Sequence, residues 1–243
     1  MTNKLLGNGF QLIRIPDLVK IHDPNGPWIE IIINDGRNRV GLISAPPGTP
    51  PDPHIHPANN EWWFVFGGKT QWQIGQYEPL KAGYGDVVVA PAGFSHDIRT
   101  AGDKYSLRVV VMHPNSNHNI RGIAPSRFIP VEYDLPNPNL IHTKFESIKK
   151  DFDENANDSQ VVVKDNRNIS TYVQTQHNHK ESFEPQMFDH WIVVFEGEYT
   201  ISDKNGNDMN IIQGDIVVIE ANTAYSITTT SKSRSIRLVN TSP

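Results

Sequence analysis

Four side chains that can bind a metal ion lie within one short part of the chain. His54 and His56 are separated by a single residue, Glu61 follows soon after them, and His96 stands further along. Residues i and i+2 of an extended segment point to the same face, so the two histidines can share one ion. Three imidazoles and one carboxylate form a ligand set that divalent transition metals accept. The sequence therefore predicts one metal site at His54, His56, Glu61 and His96.

Short β-strands separated by turns must position these side chains. A turn-forming segment at residues 57–60 precedes an aromatic and β-branched run that starts at Glu61, and a second apolar run ends at a Pro-x-Gly turn before His96. Such runs bounded by turn residues are typical of strands. Alternation along the first strand places Trp63 on the same face as Glu61, so we expect Trp63 near the metal.

These residues resemble the two sequence motifs of the cupin family. The first motif is matched by Gly48, His54, His56, Glu61 and Gly68, and the second by Gly85, Pro91, Gly93 and His96. The one departure is Thr100, where the family usually has an asparagine that is not a ligand. Nine matched positions in two blocks are a specific signal. The resemblance implies an all-β jelly-roll barrel, also called a double-stranded β-helix, with a metal on the four ligands.

The second half of the chain repeats the first. Residues 191–197 parallel residues 62–68, and residues 214–218 parallel residues 85–89. A repeat of this length indicates a duplicated domain, so we expect two cupin barrels in one chain, a bicupin. We predict an N-terminal arm at 1–27, a first barrel with the metal site at 28–115, a linker with a short helix at 116–158, and a degenerate second barrel at 159–243.

The second copy lacks the ligand set. Counting from its glycines, the four ligand positions fall on Phe183, Pro185, His190 and Tyr225. We therefore expect a second barrel without a metal, which serves as support, as a dimer contact or as a separate apolar binding site. An alternative stays open, because a longer loop could bring His177 and His179 near His190.

Candidate substrate-contacting residues lie on the strands around the metal motifs. They are Trp63, Arg39, Arg108, Gln71 and Gln73. A buried arginine can bind a carboxylate in a bidentate way. For Arg39 and Arg108 an outward, solvated side chain is the alternative.

Composition excludes several classes of function. The 243 residues carry a formal net charge of −5 and contain no cysteine. Without a basic stripe we expect no nucleic-acid partner, and without cysteine there are no disulfides or thiolate ligands. No apolar stretch approaches membrane-spanning length and no secretion signal is evident, so we expect no membrane association and a cytoplasmic location. We further expect a homo-oligomer that acts on a small molecule.

The ligand set and the family resemblance together suggest the chemistry. Four protein ligands leave up to two positions of an octahedral ion for a substrate and dioxygen. We expect one divalent metal per chain, with Fe(II) favoured and Mn, Ni or Zn as alternatives, in a dioxygenase that cleaves a small aromatic or carboxylate-bearing substrate. The resemblance also leaves open a non-oxidative Mn, Ni or Zn decarboxylase, isomerase or lyase, and a cupin that binds a small molecule without turnover.

Overall fold

The computed structural model describes residues 9–23, 26–115 and 138–243. They divide into two compact units. One is His22–Ser147, and the other joins the described residues of Met1–Ile21 to Ile148–Pro243. Strands dominate both units, which confirms the predicted all-β class. No helix in the described ranges is long and apolar enough to cross a membrane.

The unit His22–Ser147 consists of two antiparallel sheets. A six-stranded sheet has the order β11-β8-β5-β10-β3-β2, and a four-stranded sheet has the order β4-β9-β6-β7. The strands are β2 (Trp28–Asn34), β3 (Arg39–Ala45), β4 (His54–Ile55), β5 (Glu61–Gly67), β6 (Thr70–Ile74), β7 (Leu80–Ala82), β8 (Val87–Ala90), β9 (Ser95–Thr100), β10 (Ser106–Met112) and β11 (His142–Thr143). Trp63 and Val65 of the larger sheet form a core with Trp72 and Ile74 of the smaller one.

The second unit repeats this topology strand for strand. Its sheets have the orders β1-β18-β15-β20-β13-β12 and β14-β19-β16-β17. The elements are β1 (Phe10–Arg14), α1 (Ile15–Ile21), β12 (Asp158–Lys164), β13 (Ile169–Thr175), β14 (Lys180–Phe183), β15 (His190–Glu196), β16 (Glu198–Asp203), β17 (Asp208–Ile212), β18 (Asp215–Ile219), β19 (Tyr225–Thr229) and β20 (Ser235–Thr241). The correspondence supports the duplication inferred from the sequence.

Two segments outside the predicted barrels contain strands or helices among their described residues. The strand β1 of the N-terminal segment pairs with β18, at the position that β11 holds beside β8 in the first unit. The N-terminal segment therefore supplies an edge strand to the second barrel. Within the predicted linker the chain forms a short helix, α2 (Phe145–Asp151), while residues 116–137 lie outside the described ranges.

A glycine follows β5 in the first barrel and β15 in the second because the chain leaves no room for a side chain there. Gly68 has a φ of 65°, and a Cβ atom built on it would lie 2.3 Å from the carbonyl oxygen of Tyr105. Gly197 has a φ of 83°, and its Cβ would lie 2.0 Å from Ser235 Oγ. Positive φ and close approach both favour glycine. These turns set the start of the following strand in each barrel.

Candidate metal centre

Strand pairing brings the four predicted ligands together. His54 on β4 lies opposite His96 on β9 in the smaller sheet, and Glu61 opens β5 of the larger sheet. His56 follows β4, where its carbonyl oxygen accepts a hydrogen bond of 3.0 Å from the Gly93 amide. The Pro-x-Gly turn of the second motif therefore fixes the backbone at a ligand of the first.

The ligand atoms converge on one carboxylate oxygen. Glu61 Oε2 lies 2.8 Å from His96 Nε2, 3.3 Å from His56 Nε2 and 3.7 Å from His54 Nε2. All four ligand atoms lie within 4.8 Å of one another, and all four residues are buried. Ligands about 2.1 Å from an octahedral ion lie about 3 Å apart when adjacent and about 4 Å apart when opposite. The cluster could therefore bind a metal ion.

Electrostatics keep the carboxylate ionised. Burial alone would raise the pKa of Glu61, but the neighbouring His54, His56 and His96 outweigh it and hold this pKa well below its usual value. Burial lowers the pKa of His96, and the hydrogen bond that it forms with the Glu61 carboxylate only partly offsets this. For His54, burial is outweighed by Glu61 and by the Asp52 carbonyl, so its pKa is raised. An ionised carboxylate beside imidazoles is the form that metal binding requires.

Backbone carbonyls set the tautomer of two ligands. His54 Nδ1 contacts the carbonyl oxygen of Asp52, and His96 Nδ1 lies 3.4 Å from the carbonyl oxygen of Phe94. A carbonyl accepts only a proton on Nδ1, so an ion would bind at Nε2, where it would replace any proton directed at Glu61. Both Nε2 atoms point toward Glu61, so the ligand atoms converge.

A cavity of about 190 Å³ opens beside the cluster. His54, Glu61 and Trp63 form its inner end. Its walls are mainly apolar side chains, those of Ile29, Ile43, Ile98, Val110 and Met112. Apolar walls with a few polar groups are typical of small-molecule sites. The cavity can therefore hold a compact organic molecule in contact with the cluster.

Arg108 is the one arginine that lines this cavity, and it is only 8 % exposed. Its Nη1 donates to Ser106 Oγ at 3.3 Å, but no carboxylate of the described residues lies within 4.0 Å of its guanidinium. Burial lowers the pKa of Arg108 to about 10, and the charge of Glu61 offsets this only in part, so the group stays charged at neutral pH. A buried cation that no carboxylate contacts directly is costly. An anionic ligand would balance this charge.

Two hydroxyl groups are linked to Arg108 by hydrogen bonds and were not predicted as site residues: Ser106 contacts it directly, and Thr100, which lines the cavity, contacts Ser106. Thr100 Oγ1 lies 2.7 Å from Ser106 Oγ and donates to the carbonyl oxygen of Ala45 at 2.7 Å. Ser106 in turn accepts from Arg108. The sequence offered two signals: Thr100 is the one departure from the cupin motifs, and Ser106 shares a strand face with Arg108.

Of the remaining predicted pocket residues, only Trp63 lines the cavity. Trp63 lines the cavity, with its ring centroid 5.3 Å from that of His96, as strand alternation predicted. Arg39 is exposed at the start of β3 and does not line the cavity. Gln71 and Gln73 flank Trp72, which points into the core, so alternation directs both glutamines outward. The structure therefore places Gln71, Gln73 and Arg39 outside the cavity, contrary to the prediction.

The second barrel replaces the ligands with a stacked pair. Phe183 lies opposite Tyr225 on β14 and β19, and their rings stack with centroids 4.7 Å apart. His190 Nε2 forms a hydrogen bond of 3.0 Å with Tyr225 Oη. The residues that the repeat placed at three ligand positions therefore do meet, but as an aromatic cluster.

The alternative histidine site does not form. His177 Nδ1 contacts the carbonyl oxygen of Ser231 at 2.6 Å, and His179 Nε2 lies 3.2 Å from Glu181. His190 is buried at Tyr225 instead. Across the described ranges, the only cluster of potential metal ligands is His54, His56, Glu61 and His96.

Comparison with known proteins agrees with this geometry. Residues 41–113 match the family model described as the cupin domain. No curated protein matches the sequence. A cupin 2 conserved barrel domain protein from Leptotrichia buccalis superposes with a TM-score of 0.70 at 13% identity, and the match covers 100% of both chains.

Two solved enzymes share the fold. Oxalate decarboxylase from Lactobacillus farciminis, in a formate complex, has a TM-score of 0.60 at 15% identity, over 98% of this chain and 87% of that one. Salicylate 1,2-dioxygenase from Pseudaminobacter salicylatoxidans has a TM-score of 0.66 at 13% identity, over 93% and 78%. These matches show that residues 41–113 fit the cupin domain and that the two units share the fold of known cupin proteins.

Proposed function

We propose that this cupin is a mononuclear metal-dependent enzyme, a dioxygenase that uses Fe(II) to cleave a small aromatic substrate bearing a carboxylate. One observation carries the proposal: Arg108, a buried cation with no carboxylate partner among the described residues, lines the same cavity as the ligand cluster. A site that is metal-binding at one end and cationic at its wall favours an organic acid.

His54, His56, Glu61 and His96 would hold the ion. Bound Fe(II) would supply the redox chemistry that couples dioxygen to oxidation of the substrate. The fit rests on four buried ligand atoms within 4.8 Å of one another and on a carboxylate kept ionised by three imidazoles.

The chain's own residues would bind and orient the substrate. Arg108 would donate two hydrogen bonds to the substrate carboxylate, and Ser106 holds the guanidinium in place. Ile43 and Val110 would pack on the substrate ring, while Trp63 closes the wall next to His96. These apolar contacts exclude water and fix the ring relative to the ligand cluster.

The shape and charge of the cavity favour an aromatic acid over a small dianion. Only one arginine faces the cavity, and most of its other walls are apolar. A small dianion such as oxalate has no apolar surface to pack on these walls, whereas the ring of an aromatic acid would fill them. The same arginine could also orient an aromatic acid for loss of CO2, so a non-oxidative decarboxylase with Mn, Ni or Zn is the second candidate.

Oxygen uptake and metal content test the proposal together. Protein purified without chelators should contain about one metal ion per chain. The Fe(II)-loaded protein should consume dioxygen with hydroxybenzoates, and matched phenols and catechols without a carboxylate should give much slower uptake. CO2 release without oxygen uptake would establish the decarboxylase instead. Binding of acids with neither reaction would leave a non-catalytic binding protein.

A further inference from the structure

The second barrel keeps a cavity where the first barrel has its candidate substrate site. This open cavity has a volume of about 410 Å³. The two cavities lie at corresponding positions of the two barrels. Ser106 of β10 pairs with Ala45 of β3, and Ser235 of β20 pairs with Thr175 of β13 in the same way. In this register the lining residues Val173, Val239 and Arg237 correspond to Ile43, Val110 and Arg108.

The cavity is retained although the metal ligands are not. Phe183 lines it and stacks on Tyr225, and Tyr225 bonds to His190. The aromatic pair thus fills the space of the ligand cluster and leaves the outer cavity open. A duplicated site with a closed inner end can bind a molecule but offers no metal to act on it.

The ion pair of its arginine is the main difference between the second cavity and the first. Arg237 is 1% exposed, and its Nη2 donates to Glu181 Oε2 at 2.7 Å. Glu181 Oε1 also lies 3.2 Å from His179 Nε2. Arg108 has no such carboxylate among the described residues. The guanidinium of the second barrel is therefore already neutralised by the chain itself.

Both cavities are lined by two carboxylates and one arginine, and they differ in how these groups are arranged. In the first, Glu61 belongs to the candidate metal cluster, whereas in the second Glu181 pairs with Arg237 and Asp158 adds a further negative group. An anionic ligand would add a negative charge beside both, and like charges in a partly buried site repel. An uncharged group with both a donor and an acceptor could instead bridge the existing pair without changing the net charge.

We propose that the second barrel binds uncharged polar molecules with an apolar body, of the carboxamide class. The ligand's N–H donates to Glu181, its carbonyl oxygen accepts from Arg237, and its apolar body packs on Val173, Phe183 and Val239. This site is independent of the metal and of any reaction in the first barrel. The two barrels of one chain thus select ligands of different charge.

Benzamide and benzoate form a matched pair of probes for this proposal. They share a ring and differ in charge, and the methyl groups of Val173 and Val239 report binding in NMR spectra of the full chain. Benzamide should shift these methyl resonances in a saturable way, and benzoate should not. No saturable shift with benzamide, or an equal response to benzoate, would overturn the proposal.

Two variants locate the benzamide site. Val239→Phe should fill the second cavity and abolish the benzamide response at Val173, while Val110→Phe, the matched change in the first barrel, should leave it intact. Loss of the response in Val110→Phe alone would place the ligand elsewhere and reject the proposal.

A charge change tests the selectivity without filling the cavity. Glu181→Gln leaves Arg237 without its carboxylate, so benzoate affinity at the second barrel should rise at least about tenfold, or about 1.4 kcal/mol. Glu184→Gln removes the same charge from an exposed residue outside the cavity lining and serves as the control. Equal benzoate affinity in the two variants would contradict the role of Glu181.

Discussion

His54 lies directly opposite His96 across the antiparallel strands β4 and β9. The two sequence motifs of the metal site therefore meet as one cross-strand pair. The second barrel has the same pair of positions, where Phe183 lies opposite Tyr225. Because the scaffolds correspond strand for strand, these positions and the residue that opens the next strand decide whether a barrel could bind an ion.

The first prediction concerns the metal content. Replacing His54 and His56 with alanine removes two of four ligands, so metal content should fall from about one ion per chain to below about a tenth. Elemental analysis of protein purified without chelators measures this. His177→Ala with His179→Ala is the matched control and should retain the ion. Two ions per wild-type chain, or metal loss in the control, would contradict the assignment.

Sequence alone identified the ligand cluster because its information is local. A His-x-His segment, a glutamate at a strand start and a Pro-x-Gly turn before His96 each fix one side chain relative to a strand or a turn. The same counting placed Phe183, His190 and Tyr225 in the second barrel, where the structure brings them together. These predictions needed only strand parity and repeat spacing.

The pocket was harder to predict because its strands are buried on both faces. β10 is buried at six consecutive positions, so no alternation distinguishes the cavity side of Arg108 from its opposite side. The positive φ of Gly68 also interrupts the alternation of side chains between β5 and β6. Strand parity counted across this bend therefore placed Gln71 and Gln73 on the wrong side of β6. Pairing of Phe10 with Ile219 joins distant parts of the chain, and no local pattern encodes it.

The second prediction separates binding from stability at Arg108. Arg108→Met should weaken benzoate binding at the first barrel about ten- to a hundredfold, because a charge-assisted bidentate contact is lost. Thermal stability should be unchanged or higher, because an unbalanced buried cation is removed. Methyl shifts of Ile43 and Val110 and thermal unfolding provide the two measurements.

Arg237→Met is the matched control for that variant. It breaks the ion pair with Glu181, so thermal stability should fall while benzoate binding at the first barrel is unchanged. The role of Arg108 as the carboxylate-binding residue is rejected if both methionine variants lose stability and neither loses benzoate affinity.

The third prediction assigns Thr100 as a positioning residue for Arg108. Its hydroxyl bridges Ser106 and the carbonyl oxygen of Ala45. Thr100→Val keeps the shape but removes both bonds, so benzoate affinity should fall about fivefold, in line with about 1 kcal/mol for a hydrogen bond. Thr100→Ser should restore it. Equal affinity in the valine and serine variants would mean that Thr100 only packs.

The fourth prediction concerns the pH dependence of stability at two corresponding aspartates, Asp86 before β8 and Asp215 at the start of β18. Burial raises the pKa of Asp86, but hydrogen bonds from His142 and from the amides of Gly83 and Phe145 outweigh it and lower this pKa below 3.8. Ionised Asp86 therefore stabilises the fold above pH 3.8, and this contribution is lost as the pH falls through the lower folded value. Asp86→Asn should lower the melting temperature at pH 7, with a smaller effect below pH 3.8.

Asp215 at the corresponding position should behave in the opposite way. Burial raises its pKa above 3.8, and the Ile212 amide and Arg14 offset this only in part. Its ionisation therefore opposes folding, and the favourable contribution of the protonated form is lost as the pH rises through the raised value. Asp215→Asn should not lower the melting temperature at pH 7. Melting curves of both variants across pH 3 to 7 test the contrast, and equal destabilisation at pH 7 would refute it.

The fifth prediction rebuilds a metal site in the second barrel. Phe183 and Tyr225 occupy the strand positions of His54 and His96, and His190 occupies that of Glu61. Phe183→His, Tyr225→His and His190→Glu together should therefore create a two-histidine, one-carboxylate site, a set that binds Fe(II) or Zn(II).

Metal binding by the rebuilt site is best measured in a chain that also carries His54→Ala and His56→Ala. Any bound ion then belongs to the second barrel. Metal content should rise from near zero to about one ion per chain. A variant with only Phe183→His and Tyr225→His should bind more weakly, because it lacks the charged ligand that neutralises the ion. If the triple variant folds, as judged by its melting transition, and still binds no metal, then equivalent strand positions do not give equivalent ligand geometry. The cross-strand pair alone would not then explain why only one barrel has the ligand cluster.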